Sequence, residues 1–252
     1  CTFGGQLSVA ARILQMNFIR NLVLSVCLPV LLAACIQSQP YPRGVPLQAP
    51  TATPVVRAPQ VGQQWVYKIR NVFNAEQVDV LTETVVSISP NVRIERNSEK
   101  FGRLTDEIQQ PWGYILQDPH WNPPQKFLQA IPLWPEQLVP GWSGFYRNRY
   151  EVVGYPGNDY YWGVGIDSGS WERIKVPAGE FNVLFYRNSM PFFTSNDFSR
   201  IANMRQEDVW FAPEIGRWVI RRSQGQYLWA GMSGWGEALW ENYYEWELVS
   251  WK

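Results

Sequence analysis

His120 is the only histidine in the chain and stands in Asp118-Pro119-His120-Trp121-Asn122-Pro123, a proline-flanked stretch that reads as a loop. A nucleophilic serine needs a base, normally histidine. Gly141-Trp142-Ser143-Gly144 and Gly231-Met232-Ser233-Gly234 resemble nucleophile elbows on the surface. Each lacks the following glycine, and Phe145 and Trp235 stand there instead. One histidine plus carboxylates is too thin a supply for the usual zinc sites. Asp167-Ser168-Gly169 lacks the spaced oxygens of a calcium loop, and Gly163-Val164-Gly165 lacks the rest of a dinucleotide fingerprint. A carboxylate pair for glycoside hydrolysis is available in any acidic β protein, and no pair is singled out. The chain is therefore read as a non-enzyme with no catalytic residue, metal or cofactor, and His120 as a loop residue bonded to backbone.

Tryptophan is the unusual resource: 14 residues of 252. Large aromatics pack well in β cores, which accounts for those on periodic faces. Trp112, Trp121, Trp134, Trp142 and Trp235 stand instead in Pro/Gly-rich contexts and are the candidate binding aromatics, able to stack on sugar rings or line an apolar groove.

Whole-chain charge is balanced, with 22 basic and 22 acidic residues, which excludes a strongly basic nucleic-acid binder. The balance hides a division at residue 60. Before it lie Arg12, Arg20, Arg43 and Arg57, no acid, no Trp and all three cysteines. After it lie 192 residues with 18 basic and 22 acidic groups, a net charge of −4, enough chain for one sizeable core.

The first part reads as an export signal. Met16-Asn17-Phe18-Ile19-Arg20-Asn21 makes a short positive region, so residues 1–15 are expected to lie upstream of the true start. Leu22 to Ala34 is uncharged, fits a secretory apolar segment and is too short to span a bilayer. Leu32-Ala33-Ala34-Cys35 resembles the bacterial lipobox. That resemblance implies cleavage between Ala34 and Cys35, acylation of Cys35 (palmitate included) and, with Ile36 rather than Asp after it, sorting to the outer membrane facing the periplasm. Residues 35–60, with six prolines, are read as the lipidated N-terminus and a semi-extended tether.

The elements of residues 61–252 have period two. Val78, Val80, Thr82, Thr84, Val86 and Ile88 share one face, with Asp79, Glu83 and Ser87 on the other. Tyr160, Trp162, Val164 and Ile166 alternate with Tyr161, Gly163, Gly165 and Asp167, the glycines leaving room for large neighbours or curvature. Trp240, Tyr244, Trp246 and Leu248 oppose Glu241, Glu245 and Glu247. Phe181, Val183 and Phe185 alternate with Leu184 and Tyr186, a strand apolar on both faces and so central. Turns are predicted at Ser89-Pro90-Asn91, Tyr155-Pro156-Gly157-Asn158, Val176-Pro177-Ala178-Gly179 and Ala212-Pro213-Glu214-Ile215-Gly216. Residues 110–145 are read as a long excursion with a short helix near 125–130. The fold class is all-β, a curved antiparallel sheet forming a half-barrel or open barrel.

Trp171-Glu-Arg-Ile-Lys-Val-Pro-Ala-Gly-Glu-Phe181 and Val209-Trp-Phe-Ala-Pro-Glu-Ile-Gly216 resemble paired hairpin motifs of secreted bacterial domains of unknown function. The resemblance implies a half-barrel like that of periplasmic lipoprotein carriers, with the motif residues as turn and packing positions. The expected protein is a lipid-anchored envelope module that binds an apolar ligand, a glycan or a protein partner, with the membrane engaged through the N-terminal lipid. The alternatives are a structural surface lipoprotein and a glycan-cleaving hydrolase.

Overall fold

The computed structural model describes residues 43–192, 197, 199–229 and 236–252. The signal segment, Ala34, Cys35 and Trp235 lie outside them. Fifteen strands are described: β1 (Val45–Leu47), β2 (Gln64–Asn71), β3 (Gln77–Ser87), β4 (Val92–Ser98), β5 (Gly102–Arg103), β6 (Glu107–Gln109), β7 (Tyr114–Asp118) and β8 (Gln125–Pro132), then β9 (Ser143–Val152), β10 (Tyr155–Val176), β11 (Gly179–Phe192), β12 (Arg200–Ala212), β13 (Arg217–Trp229), β14 (Glu237–Trp240) and β15 (Tyr244–Trp251). Neighbours pair antiparallel in the order β10-β11-β12-β13-β15-β2-β3-β4-β6-β7-β8-β9, and β9 pairs back onto β10. The all-β reading holds, but the sheet predicted as open is a closed barrel of twelve strands. Closure comes from Tyr160 to Asp167 pairing continuously with Tyr150 to Ser143, which leaves no edge there.

The excursion predicted at 110–145 is part of the wall. The segment read as a helix near 125–130 is β8, between β7 and β9, because pairing on both sides outweighs its helix-tolerant Gln, Lys, Leu and Ala. The predicted tether also changes character. From Arg43 onward the chain is bound to the barrel: β1 pairs with Trp171–Arg173 of β10, the Gly44 N–H donates to Glu172 at 3.0 Å, and Arg57 N–H donates to the Pro213 carbonyl at 2.8 Å. A Cβ on Gly44 would lie 2.4 Å from the Arg173 carbonyl oxygen, so only glycine permits that approach.

Two turns match the sequence. Val176 and Gly179 face each other across the long β10–β11 hairpin, Gly179 at positive φ. Pro213–Ile215 forms a single 3-10 turn ended by Gly216 at φ 64°, whose N–H donates back to Pro213. Tyr155-Pro156-Gly157-Asn158 is instead an irregular start of β10, the turn itself lying between Val152 and Tyr155.

Burial alternates along the wall strands, as a filled small barrel requires. On β3 the buried face is Asp79, Leu81, Glu83 and Val85, while the β-branched face is half-exposed. The interior is packed with large side chains, among them Trp65, Tyr67, Tyr150, Tyr186, Phe211 and Arg217, all under 2% exposed. Val183 and Leu184 are both fully buried, in keeping with a strand apolar on its two faces.

Candidate functional site

A network of charges runs through the barrel interior. Arg217 opens β13 immediately after the 3-10 turn and is completely buried. Its Nε and Nη2 donate to Glu83 of β3 at 3.1 and 2.7 Å, and its Nη1 and Nη2 to Glu107 of β6 at 2.7 and 2.6 Å. The guanidinium stacks 3.8 Å from the Trp218 ring centroid. Arg96 adds a bond from Nε to Glu83 at 3.2 Å and one from Nη1 to the Pro119 carbonyl at 3.1 Å. Further along, Arg221 pairs with Glu207, which also accepts from Asn188.

His120 is wired into this network. Its Nδ1 lies 2.8 Å from Asp118 and its Nε2 3.3 Å from Glu83, with only 2% of the side chain exposed. The predicted loop position is correct, but the ring bonds to carboxylates rather than to backbone. Both ring nitrogens face acceptors, so a doubly protonated ring would donate to both. Counting Glu83, Glu107, Asp118 and Glu207 against Arg96, Arg217 and Arg221, an imidazolium would be the fourth cation opposite four carboxylates.

Burial pushes the Glu83 carboxyl up, but Arg217, His120 and Arg96 outweigh it and hold it well below the usual carboxylate range. Burial opposes ionisation of Asp118 likewise, and the His120 hydrogen bond and charge with Arg221 hold it down. Burial, with Glu83 and Glu107 nearby, raises the Tyr67 phenol well above its ordinary value, and Tyr67 donates to the Trp218 carbonyl at 2.9 Å. Arg217 is raised despite its burial, because Glu107 and Glu83 embrace it.

Glu83, Glu107 and His120 offer ligand atoms within 4.8 Å of one another, the one such group among the described residues. Arg217 already occupies both carboxylates, and a dication would have to displace a buried guanidinium bonded four times. The donor set is an ion-pair network rather than a metal centre.

The network ends at a hollow of about 280 Å³ at one end of the barrel. His120, Trp121 and Asn122 come from the β7–β8 connection, Arg200 and Arg205 from β12, Ser223 and Tyr227 from β13, and Trp240, Glu241, Asn242 and Tyr244 from around β14 and β15. Glu241 is its fulcrum. It accepts from Arg205 Nε and Nη2, both at 2.9 Å, and from Arg200 Nη1 at 3.0 Å. A Cβ on Gly225 would meet that carboxylate at 2.1 Å, so glycine makes the seat. Arg205 lies 4.3 Å over the Trp121 ring and Arg200 4.3 Å over Tyr227. Trp240 is 62% exposed.

A third charge cluster sits where the N-terminal segment docks. Glu245 of β15 receives Arg43, Arg70 and Arg222. Burial raises its carboxyl, but hydrogen bonds from Arg43 and Arg222 hold it down at about 2. Read from sequence as the polar face opposite Trp246, Glu245 is nevertheless 3% exposed.

Of the candidate aromatics among the described residues, Trp121 alone lines the hollow, and it is buried, with Arg205 over its ring. Trp134 stacks on Phe211 at 4.7 Å with Trp112 edge-on at 5.5 Å, and Trp112 donates to the Arg57 carbonyl. Trp142 covers Gly144, where a Cβ would come within 2.6 Å of its ring. These three pack against the core. Trp235, Ala34 and Cys35 lie outside the described residues. The sequence reading did not reach Glu107, Arg217, Arg205 or Trp240 as a set, since they come together only when distant strands pair.

Fold and site together define a closed antiparallel barrel with an ion-paired interior and a polar, aromatic mouth. No protein-family model matches the chain, and no curated protein matches it. Among solved structures, a candidate lipoprotein from Parabacteroides distasonis is similar with a TM-score of 0.49 and 12% identity, over 80% of this chain and 100% of that one. An exported protein with a YmcC-like fold from Bacteroides fragilis gives 0.48 and 14%, over 79% and 99%. The hypothetical lipoprotein YmcC from Escherichia coli gives 0.40 and 11%, over 77% and 90%. At such identities the likeness concerns strand arrangement and assigns no activity.

Proposed function

We propose that this is a lipid-anchored envelope protein, held by Cys35 at the outer membrane on its periplasmic side, that binds a saccharide in the barrel mouth without transforming it. The observation that carries the reading is the hollow around Trp240 and Glu241. An exposed indole offers a face to a sugar ring, and the Arg200, Arg205, Asn122 and Asn242 side chains offer the planar hydrogen-bonding groups that hydroxyls need. An apolar ligand inside the barrel is disfavoured by the packed, charged interior. Cleavage is disfavoured because Glu241, the carboxylate lining the mouth, is held by Arg200 and Arg205, while Glu83 and Glu107 are sealed and locked on Arg217.

The test is titration of residues 36–252 with peptidoglycan fragments and with lipopolysaccharide-core oligosaccharide, followed by Trp fluorescence and calorimetry. Binding by one class, lost in Trp240→Ala and kept in Tyr155→Ala, supports the reading. Indifference to both classes overturns it and leaves the structural surface lipoprotein, a role that the packed interior also suits.

A further inference from the structure

A second hollow, of about 570 Å³, lies on the outer wall across β8, β9 and β10. Its origin is legible in the strands. Gly163 and Gly165 leave a strip of wall without side chains, and Phe145 lies over it, its ring 3.1 Å from where a Gly163 Cβ would be. Leu128, Phe145 and Tyr161 border the strip and are 52%, 57% and 65% exposed. Large apolar side chains clustered so openly on one wall mark an interaction surface.

Its charges have a sign. Arg149 stacks 4.5 Å over Tyr161 and pairs with Asp159 at 2.5 Å. Arg147 lies 5.8 Å from the Phe145 centroid and, among the described residues, has no carboxylate in ion-pairing range. Aromatic rings backed by guanidiniums suit the headgroup region of a bilayer, where rings sit among the glycerols and guanidiniums reach phosphates.

The N-terminal strand shares an edge of β10 with this wall, further along the strand. β1 and β9 flank the same edge of β10, one at Trp171–Arg173 and the other at Tyr155–Asp167. Arg43, just before β1, is clamped on Glu245. Between Cys35 and Arg43 there are eight steps of chain, a reach of at most about 28 Å. An acylated Cys35 therefore holds Arg43 within that distance of the bilayer surface.

We propose that this wall is a membrane-docking face, and that its occupant is the phosphate-bearing surface of the bilayer in which the anchor is embedded. Phe145, Tyr161 and Leu128 enter the interface while Arg147 and Arg149 meet lipid phosphates, so the barrel lies on its side. The placement of the anchor rests on the lipid-anchored reading, but the contact itself does not.

The experiment therefore uses residues 36–252 without a lipid. Residues 42–252 form a compact unit by themselves. Sedimentation is measured with vesicles of phosphatidylethanolamine containing about a quarter phosphatidylglycerol, and with neutral phosphatidylcholine vesicles. The expected result is binding to the anionic vesicles that falls at least about tenfold in Phe145→Ser/Tyr161→Ser, from the apolar area withdrawn. Arg147→Glu weakens anionic-vesicle binding and removes its salt dependence, with unchanged thermal unfolding. No binding by the native sequence, or equal binding by the double variant, overturns the proposal. Saccharide titration of the same variants separates the two readings, because the mouth and this wall share no lining residue.

Discussion

In Arg217→Met, Glu83 and Glu107 lose the guanidinium that holds both of them, at a place where both are fully buried. The side-chain volume is roughly kept, so the effect isolates charge. Removing one partner of a buried pair costs about 3–5 kcal/mol, because the carboxylates left behind are unpaired. The compact unit here is 42–252. Its unfolding entropy near Tm is about 0.4 kcal/mol/K, which translates the loss into a Tm lower by about 7–12 °C. Thermal unfolding followed by far-ultraviolet circular dichroism at pH 7 and pH 5 is the assay. The pH arm tests the cause. In the native protein Glu83 and Asp118 have depressed carboxyl pKa values, so their contribution is complete above the ordinary carboxylate range and is lost as pH falls through and below it. In the variant the main lowering charge is gone while burial remains, so Glu83 protonates more readily in the folded state. Acidification to pH 5 should then narrow the gap between variant and native protein. Adding Glu83→Gln and Glu107→Gln should restore much of the lost stability at pH 7. A Tm change below about 2 °C, or a gap that is unchanged at pH 5, would refute the account of an electrostatically locked interior.

Gly225→Ala should push the Glu241 side chain aside and uncouple Arg200 and Arg205 at a cost of about 1 kcal/mol from the lost hydrogen bonds, read as altered Trp121 fluorescence with a small fall in Tm. Gly44→Ala collides with the Arg173 backbone and should free β1, so limited proteolysis at 43–47 accelerates while the barrel's core amides stay protected from hydrogen exchange. Cys35→Ala should abolish labelling by a fatty-acid probe in cells, and persistent labelling would place the lipid elsewhere.

The class of fold was readable because period two is a local property. Strand existence and most turns follow from alternation, β-branching and Pro/Gly placement. The 3-10 turn at 213–215 is an example, since Pro starts it and Gly216 takes the positive φ that ends it. The β3 pattern shows where such reasoning stops. Val78 to Val86 make one β-branched row and Asp79 to Glu83 a polar one, and a polar row ordinarily faces water. Here that row faces inward, because it also carries Leu81 and Val85, which bury there, and because Arg217 and Arg96, supplied from β13 and β4, satisfy Glu83. Arg96 stands one hairpin away, directly across from Glu83, but Arg217 lies 134 residues further on, outside any local window. Glu245 repeats the lesson on another face, buried by arginines at 43, 70 and 222.

The glycine strip at 163 and 165 was visible as a need for room, and Phe145 fills it from β9. The tryptophans divide less cleanly. Composition marked their excess and context marked five of them, yet Trp240, the most open indole at the mouth, stood among the periodic ones.

By itself the sequence determined the all-β class, the period-two alternation of the strands and most of the turns, because each depends on neighbours along the chain. Only the tertiary structure decided that the barrel closes, that residues from Arg43 belong to it, and that four carboxylates meet three guanidiniums and one imidazole inside. Those outcomes depend on pairing between segments up to about two hundred residues apart, and a buried charge is tolerable only where such pairing supplies its counter-charge.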